Sequence, residues 1–159
     1  MDTIGDRGGL EDFSHHNDGL RIAHFPVDYQ VYIKRISVLI SESILCLSMV
    51  LFMESRSEPL KGKYAVMEVV HNRSKHPDYP DTYCGVVKQK GQFSWYKGSN
   101  SLKPPKYEKE AWDESVKVAK NFYTNKTNYT KGSLYFNHKK LGVRFNKTLK
   151  VKIGQHVFF

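Results

Sequence analysis

Residues 38–53 read VLISESILCLSMVLFM, an apolar stretch that ends at a single carboxylate, Glu54. A helix drawn through it is apolar on nearly every side, so it belongs at the centre of a fold or inside a membrane. A membrane span needs about 20 apolar residues. This stretch is shorter and is interrupted by Ser41, Glu42 and Ser43, so no stable span is expected. It reads as a core helix over residues 43–54, with Ser41 or Ser43 as N-cap.

Beyond Glu54 the pattern breaks. In Ser55-Arg56-Ser57-Glu58-Pro59 the proline disfavours helical backbone at Glu58. A second helix is expected over residues 60–72 and a turn-rich loop at HPDYPDTYCG. After a short apolar step comes Gly91-Gln92-Phe93-Ser94-Trp95, read as a loop lining a groove. A third long helix is expected over residues 107–123, with Trp112, Val116, Ala119 and Tyr123 on one stripe. Short β-branched and aromatic runs separated by Gly and Asn close the chain and predict a hairpin or two. The fold class is α+β and helix-dominated, with a small β element near the C-terminus. Residues 1–35 read as an N-terminal extension, the first 20 or so as a mobile polar arm, and residues 36–159 as one catalytic domain. Pro26 argues against one continuous helix through residues 21–35.

Composition narrows the partners. The 159 residues are 40% hydrophobic and 26% charged, which is globular and not disordered. The net charge of +9 predicts attraction to polyanions such as nucleic acid or an anionic cell-envelope surface. Cys46 and Cys84 belong to no Cys/His cluster, so no zinc site and no other metal or cofactor is expected. Their apolar surroundings read as those of buried free thiols, a disulfide between them being the alternative. The N-terminus has no basic-then-apolar signal pattern.

Glu54 is the candidate catalytic group. Breaking a glycosidic bond requires an acid that keeps its proton near neutral pH, and an apolar setting disfavours the carboxylate. The negative end of a helix dipole acts in the same direction. Glu58 is a possible second carboxylate. Residues four apart share a helical face, and carboxyl groups about 5–5.5 Å apart suit a retaining hydrolase. Pro59 works against an unbroken helix through Glu58, which favours a loop-organising role for it.

Four blocks carry a resemblance: LFMESRSEPLKGKYAVMEVVHNR, YPDTYCGVVKQKGQFSW, GSLYFNH and the terminal KIGQHVFF. In this order they resemble the cell-wall hydrolase family of spore cortex-lytic enzymes (SleB-type). The resemblance implies a lysozyme-like domain acting on peptidoglycan glycan strands, with the first glutamate of the ExRxE motif, here Glu54, as catalytic acid. Ser55 stands where the family has Ala, Ser57 where it has Gly, and Lys63 where it has Gln. If that Gly adopts positive φ, Ser57 would strain the turn by about 1 kcal/mol. A lone basic domain without signal peptide or wall-binding module resembles a bacteriophage endolysin, monomeric and held in the host cytoplasm until lysis.

The expected substrate-binding residues are Gln92, Phe93, Ser94 and Trp95, with Tyr135 and Asn137. Amides and hydroxyls would fix N-acetyl and hydroxyl groups, and aromatic rings would face sugar C–H surfaces. Phe136 reads as core. Asn72 and Arg73 read as a helix cap or loop support, and His156 as a hydrogen-bonded structural residue. With one firm carboxylate, the lytic transglycosylase route at the MurNAc-GlcNAc bond is expected, with a hydrolytic muramidase as alternative. A non-catalytic wall-binding protein and a basic nucleic-acid binder are the other classes. Scattered basic residues argue against nucleic acid, and HNR at residues 71–73 lacks the spaced partners of a nuclease metal site.

Overall fold

Between Pro26 and Pro59 the sequence contains neither proline nor glycine, so nothing local interrupts a helix there. In the computed structural model, which describes residues 27–159, α1 runs unbroken through Val27–Glu54. It begins well before the expected Ser41 or Ser43 cap, directly after Pro26, and those serines lie within it. The reading of the first 20 residues as an arm lies outside the described residues.

The two halves of α1 have different surroundings. Residues 29–42 are largely exposed. Cys46, Leu47, Val50 and Leu51 are buried in the core. Around this second half pack α2 (Leu60–Ser74), the short α3 (Tyr83–Lys88) and α4 (Lys109–Thr124). α2 is buried almost all round and supplies Ala65, Val66, Val69 and Val70. α4 is amphipathic and inserts Ser115, Val118, Ala119 and Phe122, spaced i, i+3, i+4, i+7. That stripe lies one position from the expected one, and Trp112, Val116 and Tyr123 flank it half-buried. Trp112 reaches the edge of Phe52 on α1, centroids 6.0 Å apart.

Three short strands form an antiparallel sheet: β1 (Phe136–His138), β2 (Val151–Ile153) and β3 (His156–Phe158), in the order β1-β3-β2. His156 lies opposite His138 on one side and Ile153 on the other. The β2–β3 turn is Gly154-Gln155, with Gly154 at φ +58, and a glycine first suits a two-residue hairpin. Ile153 and Phe158 join the helical core.

One carboxylate joins the sheet to the loop after α1. Glu58 is buried, and both its oxygens accept the backbone N–H of Gln155 at 3.1 Å. Gly154 allows that approach, since a Cβ there would lie 1.7 Å from Glu58 Oε2. Gly154→Ala therefore combines a clash with a disfavoured φ. It should cost about 3 kcal/mol in urea unfolding; a loss under about 1 kcal/mol would mean that Glu58 is not held there.

Cys46 and Cys84 are disulfide-bonded, with Cα atoms 5.4 Å apart, which corrects the free-thiol reading. Apolar neighbours are equally compatible with a thiol and a half-cystine, so local sequence could not separate them. The bond ties α1 to α3. Ser57 is not among the residues with positive φ, so the strain expected at that substitution is absent.

Candidate active site

Glu54 is the last residue of α1. The three residues before it divide between core and surface: Leu51 and Phe52 are buried and Met53 is exposed. Its own side chain is half-buried, and desolvation raises its pKa above the ordinary 4.5. A hydrogen bond opposes that shift without cancelling it: Trp95 Nε1–H donates to Glu54 Oε1 at 2.8 Å. One carboxyl oxygen is thereby occupied as an acceptor, so the proton of the acid form belongs on Oε2.

Trp95 is held by its own loop. Its ring packs on Phe93 at 5.5 Å and meets the edge of Tyr96 at 6.3 Å. Phe93 is buried in the core, so it offers no ring face to a sugar and acts instead as the seat for Trp95. Ser94 is exposed and Gln92 is half-buried. Gly91, at φ +79, turns the chain into this loop. The indole and the carboxyl group, 41 positions apart, thus meet through two rigid supports: a buried helix and a core-anchored loop.

Glu58 faces away from this pair toward the sheet. Besides the Gln155 N–H, its Oε1 lies 3.4 Å from His156 Nδ1. That is close enough for charges to interact but does not meet hydrogen-bond geometry, and Nδ1 has no hydrogen-bond partner. Burial, with a smaller contribution from His138, lowers the His156 pKa, while Glu58 pulls it up. His156 is thus a structural neighbour of a carboxylate already committed to backbone.

Tyr135 and Asn137 are engaged elsewhere. The Tyr135 ring stacks on Phe159, and its hydroxyl accepts from Tyr79 at 3.2 Å. Arg73 lies over both tyrosine rings and donates to the Leu134 carbonyl at 2.7 Å. Asn137 Nδ2 donates to the Gly142 carbonyl at 3.1 Å and fixes the turn after β1. Among the described residues no hydrogen bond joins either of them to Glu54. Phe136 is half-buried against the core.

Asn72 supports a loop, donating to the Ser133 carbonyl at 2.9 Å. Sequence reasoning passed over its neighbour in role, Glu68. Fully buried on α2, Glu68 accepts from the Thr127 hydroxyl and from the backbone N–H groups of Tyr129 and Thr130 at 2.8 and 2.7 Å. A single acid inside the apolar run YAVMEVV was the available signal, because a buried charge needs partners. Among the described residues no group of three His, Cys, Asp or Glu side chains could hold a metal ion.

The family model described as Cell Wall Hydrolase matches residues 57–159. The chain belongs to the cell wall hydrolase family. It is accordingly a peptidoglycan-degrading enzyme. Two solved structures resemble this hydrolase. The catalytic domain of the Bacillus cereus SleB protein matches at 22% identity and TM-score 0.52, over 74% of this chain and 89% of that one. At that identity the likeness is one of fold. The catalytic domain of the germination-specific lytic transglycosylase SleB from Bacillus anthracis matches at 25% identity and TM-score 0.56, over 73% of this chain and 92% of that one. No curated protein matches the chain. The matched stretch of the hydrolase opens at Ser57 and so contains Glu58, Glu68 and Trp95, while Glu54 lies just before it.

Proposed function

We propose that this cell wall hydrolase cleaves the MurNAc-GlcNAc β-1,4 bond of peptidoglycan as a lytic transglycosylase, with Glu54 as its general acid and base. The observation that carries the reading is the half-buried carboxyl group of Glu54, its pKa raised by burial and its Oε1 held by Trp95. Glu54 Oε2–H protonates the glycosidic oxygen as the C1–O bond breaks and positive charge builds on the muramic sugar. The resulting Oε carboxylate then takes the proton of that sugar's C6 hydroxyl while O6 bonds to C1. Glu54 ends protonated, ready for another turn, and the product is a 1,6-anhydro sugar. No water is consumed, and one carboxyl group suffices.

Two further observations support this route. Glu58, the nearest second carboxylate in sequence, is spent on the Gln155 N–H. The SleB domain from Bacillus anthracis, similar in fold over most of this chain, is described as a lytic transglycosylase. Gln92, Ser94 and the exposed part of Trp95 are the groove residues we assign to sugar binding. Tyr135 and Asn137 we place at a more distant part of the strand-binding surface.

An endolysin-like life cycle fits the chemistry. Disulfides persist in oxidising compartments and are rare in the cytoplasm, so Cys46–Cys84 suits a protein that works after release to the envelope. The charge of +9 suits a negatively charged wall.

Mass spectrometry of products from purified peptidoglycan tests the reaction. Anhydro-muropeptides that resist borohydride are expected. Reducible muramic ends would instead mean that water replaces the C6 hydroxyl, a muramidase. A second test is Trp95→Phe, which removes the side-chain hydrogen bond that pulls the Glu54 pKa down. An acid works while protonated, so activity falls as pH rises through its pKa. The alkaline limb of the pH–rate profile should move to higher pH in Trp95→Phe; an unmoved or lowered limb would argue that Glu54 is not the group titrating.

A further inference from the structure

The first half of α1 carries apolar side chains that the domain leaves in solvent. Tyr32 is 59% exposed and Leu39 60%, and Val31, Ile33, Val38 and Ile40 are exposed as well. At about 100° per residue, Tyr32, Ile33, Ile36, Leu39 and Ile40 fall within one sector of roughly 120°. Lys34, Arg35, Ser37, Ser41 and Glu42 lie on the other side, with Val31 and Val38 between them. This is the two-faced pattern of a helix that lies at a boundary. Contiguous exposed apolar surface of this kind marks an interaction site.

The choice of occupant follows from length and charge. By length and composition Tyr29–Glu54 could cross a membrane. Its second half, however, is the core of the catalytic domain, packed by α2, α3 and α4 and bonded through Cys46 to α3. Drawing it into lipid would dismantle the domain, and the half left outside contains Lys34 and Arg35. A second copy paired along the stripe would have residues 32–40 to work with, whereas coiled coils sustain about three to four heptads. A helix lying in the plane of a bilayer surface needs only one apolar face and a polar face with basic residues.

We propose that residues 29–43 of α1 form an interfacial helix that docks this enzyme on anionic lipid. Tyr32, Ile33, Ile36, Leu39 and Ile40 enter the headgroup boundary. Lys34 and Arg35 stay at headgroup level, their attraction to anionic lipid outweighing the single Glu42 on the same face, and the net charge of +9 adds long-range attraction. Docking of this kind is independent of the chemistry at Glu54.

Cosedimentation of the full chain with vesicles tests it, using phosphatidylcholine alone and phosphatidylcholine mixed with phosphatidylglycerol. Binding to the mixed vesicles is expected, weakening with salt and weaker on phosphatidylcholine alone. The double variant Tyr32→Asp/Leu39→Asp, altered only at exposed positions far from Glu54, should partition at least about tenfold less. Its melting temperature and its turnover of detergent-free peptidoglycan should match wild type. Three results would overturn the proposal: no vesicle binding by wild type, equal binding by the variant, or a wild-type dimer in sedimentation equilibrium that the variant abolishes. The last would assign the stripe to a second copy of the chain.

Discussion

Replacing Glu54 with glutamine is expected to lower peptidoglycan turnover by about 10³-fold, within the range that one positioned acid–base group contributes. Glutamine keeps an oxygen that accepts the Trp95 N–H, so the Trp95 loop stays in place. It cannot donate a proton to a leaving glycosidic oxygen, nor take one from a C6 hydroxyl, and both halves of the proposed cycle stop. Binding of glycan strands should persist, placing the loss in kcat and not in KM. Glu58→Gln is the informative comparison. Its carboxylate holds the Gln155 N–H, so that variant should lose stability more than chemistry. If Glu54→Gln retained more than about a tenth of wild-type turnover, the acid would have to be sought elsewhere.

The same substitution carries a stability signature of opposite sign. Burial raises the Glu54 pKa above 4.5 in the folded chain, so between 4.5 and the folded value the native state binds more protons than the unfolded one. Stability therefore falls as pH rises through that window, and at pH 7 burial of this group opposes folding. Glu54→Gln removes that opposition. Its melting temperature at pH 7 should exceed that of wild type, and the gap should close as pH falls toward 4.5. A residue whose removal stabilises the fold while abolishing activity is one placed for chemistry. A lower melting temperature for the variant at pH 7 would contradict the burial argument directly.

Much of this site is local in sequence, and that is why it was readable. The apolar run, the break at Pro59 and the position of Glu54 at the helix end all lie within a few turns of one another. The helix-dominated class with a small C-terminal sheet follows from similarly local periods. The unreadable features depend on partners far along the chain. Glu58 meets Gln155 across 97 positions, and nothing near Glu58 announces a hairpin turn with a glycine that makes room for it. Phe93 and Trp95 sit two residues apart in one loop with nearly the same chemistry. Only the packed structure sends one into the core and the other to the acid. The early start of α1 was missed for another reason: exposed apolar residues do not look like part of a core helix, although the backbone continues through them.

Loss of the Cys46–Cys84 bond should be the most damaging covalent change available to this fold. The bond closes a loop spanning a sequence separation of 38, and the chain-entropy relation assigns such a loop about 4 kcal/mol of stabilisation. For a chain of this size that corresponds to a fall of about 8–16 °C in melting temperature, measured in the presence of reductant or in Cys46→Ala/Cys84→Ala. The placement of the bond sharpens the expectation beyond stability. Cys46 lies two turns before Glu54 on α1, and Cys84 lies on the helix that leads into the Trp95 loop. The disulfide therefore fixes, relative to each other, the two supports that bring indole and carboxyl group to 2.8 Å. Reduction below the melting temperature should lower turnover together with a change in Trp95 fluorescence, because a looser α3 lets the indole leave the acid. A melting temperature moved by less than about 2 °C would mean that packing of α3 against α1 already supplies the constraint. In that case turnover should not respond to reductant, and the bond would be a passenger on contacts that Val86 and Val87 make with the core without it.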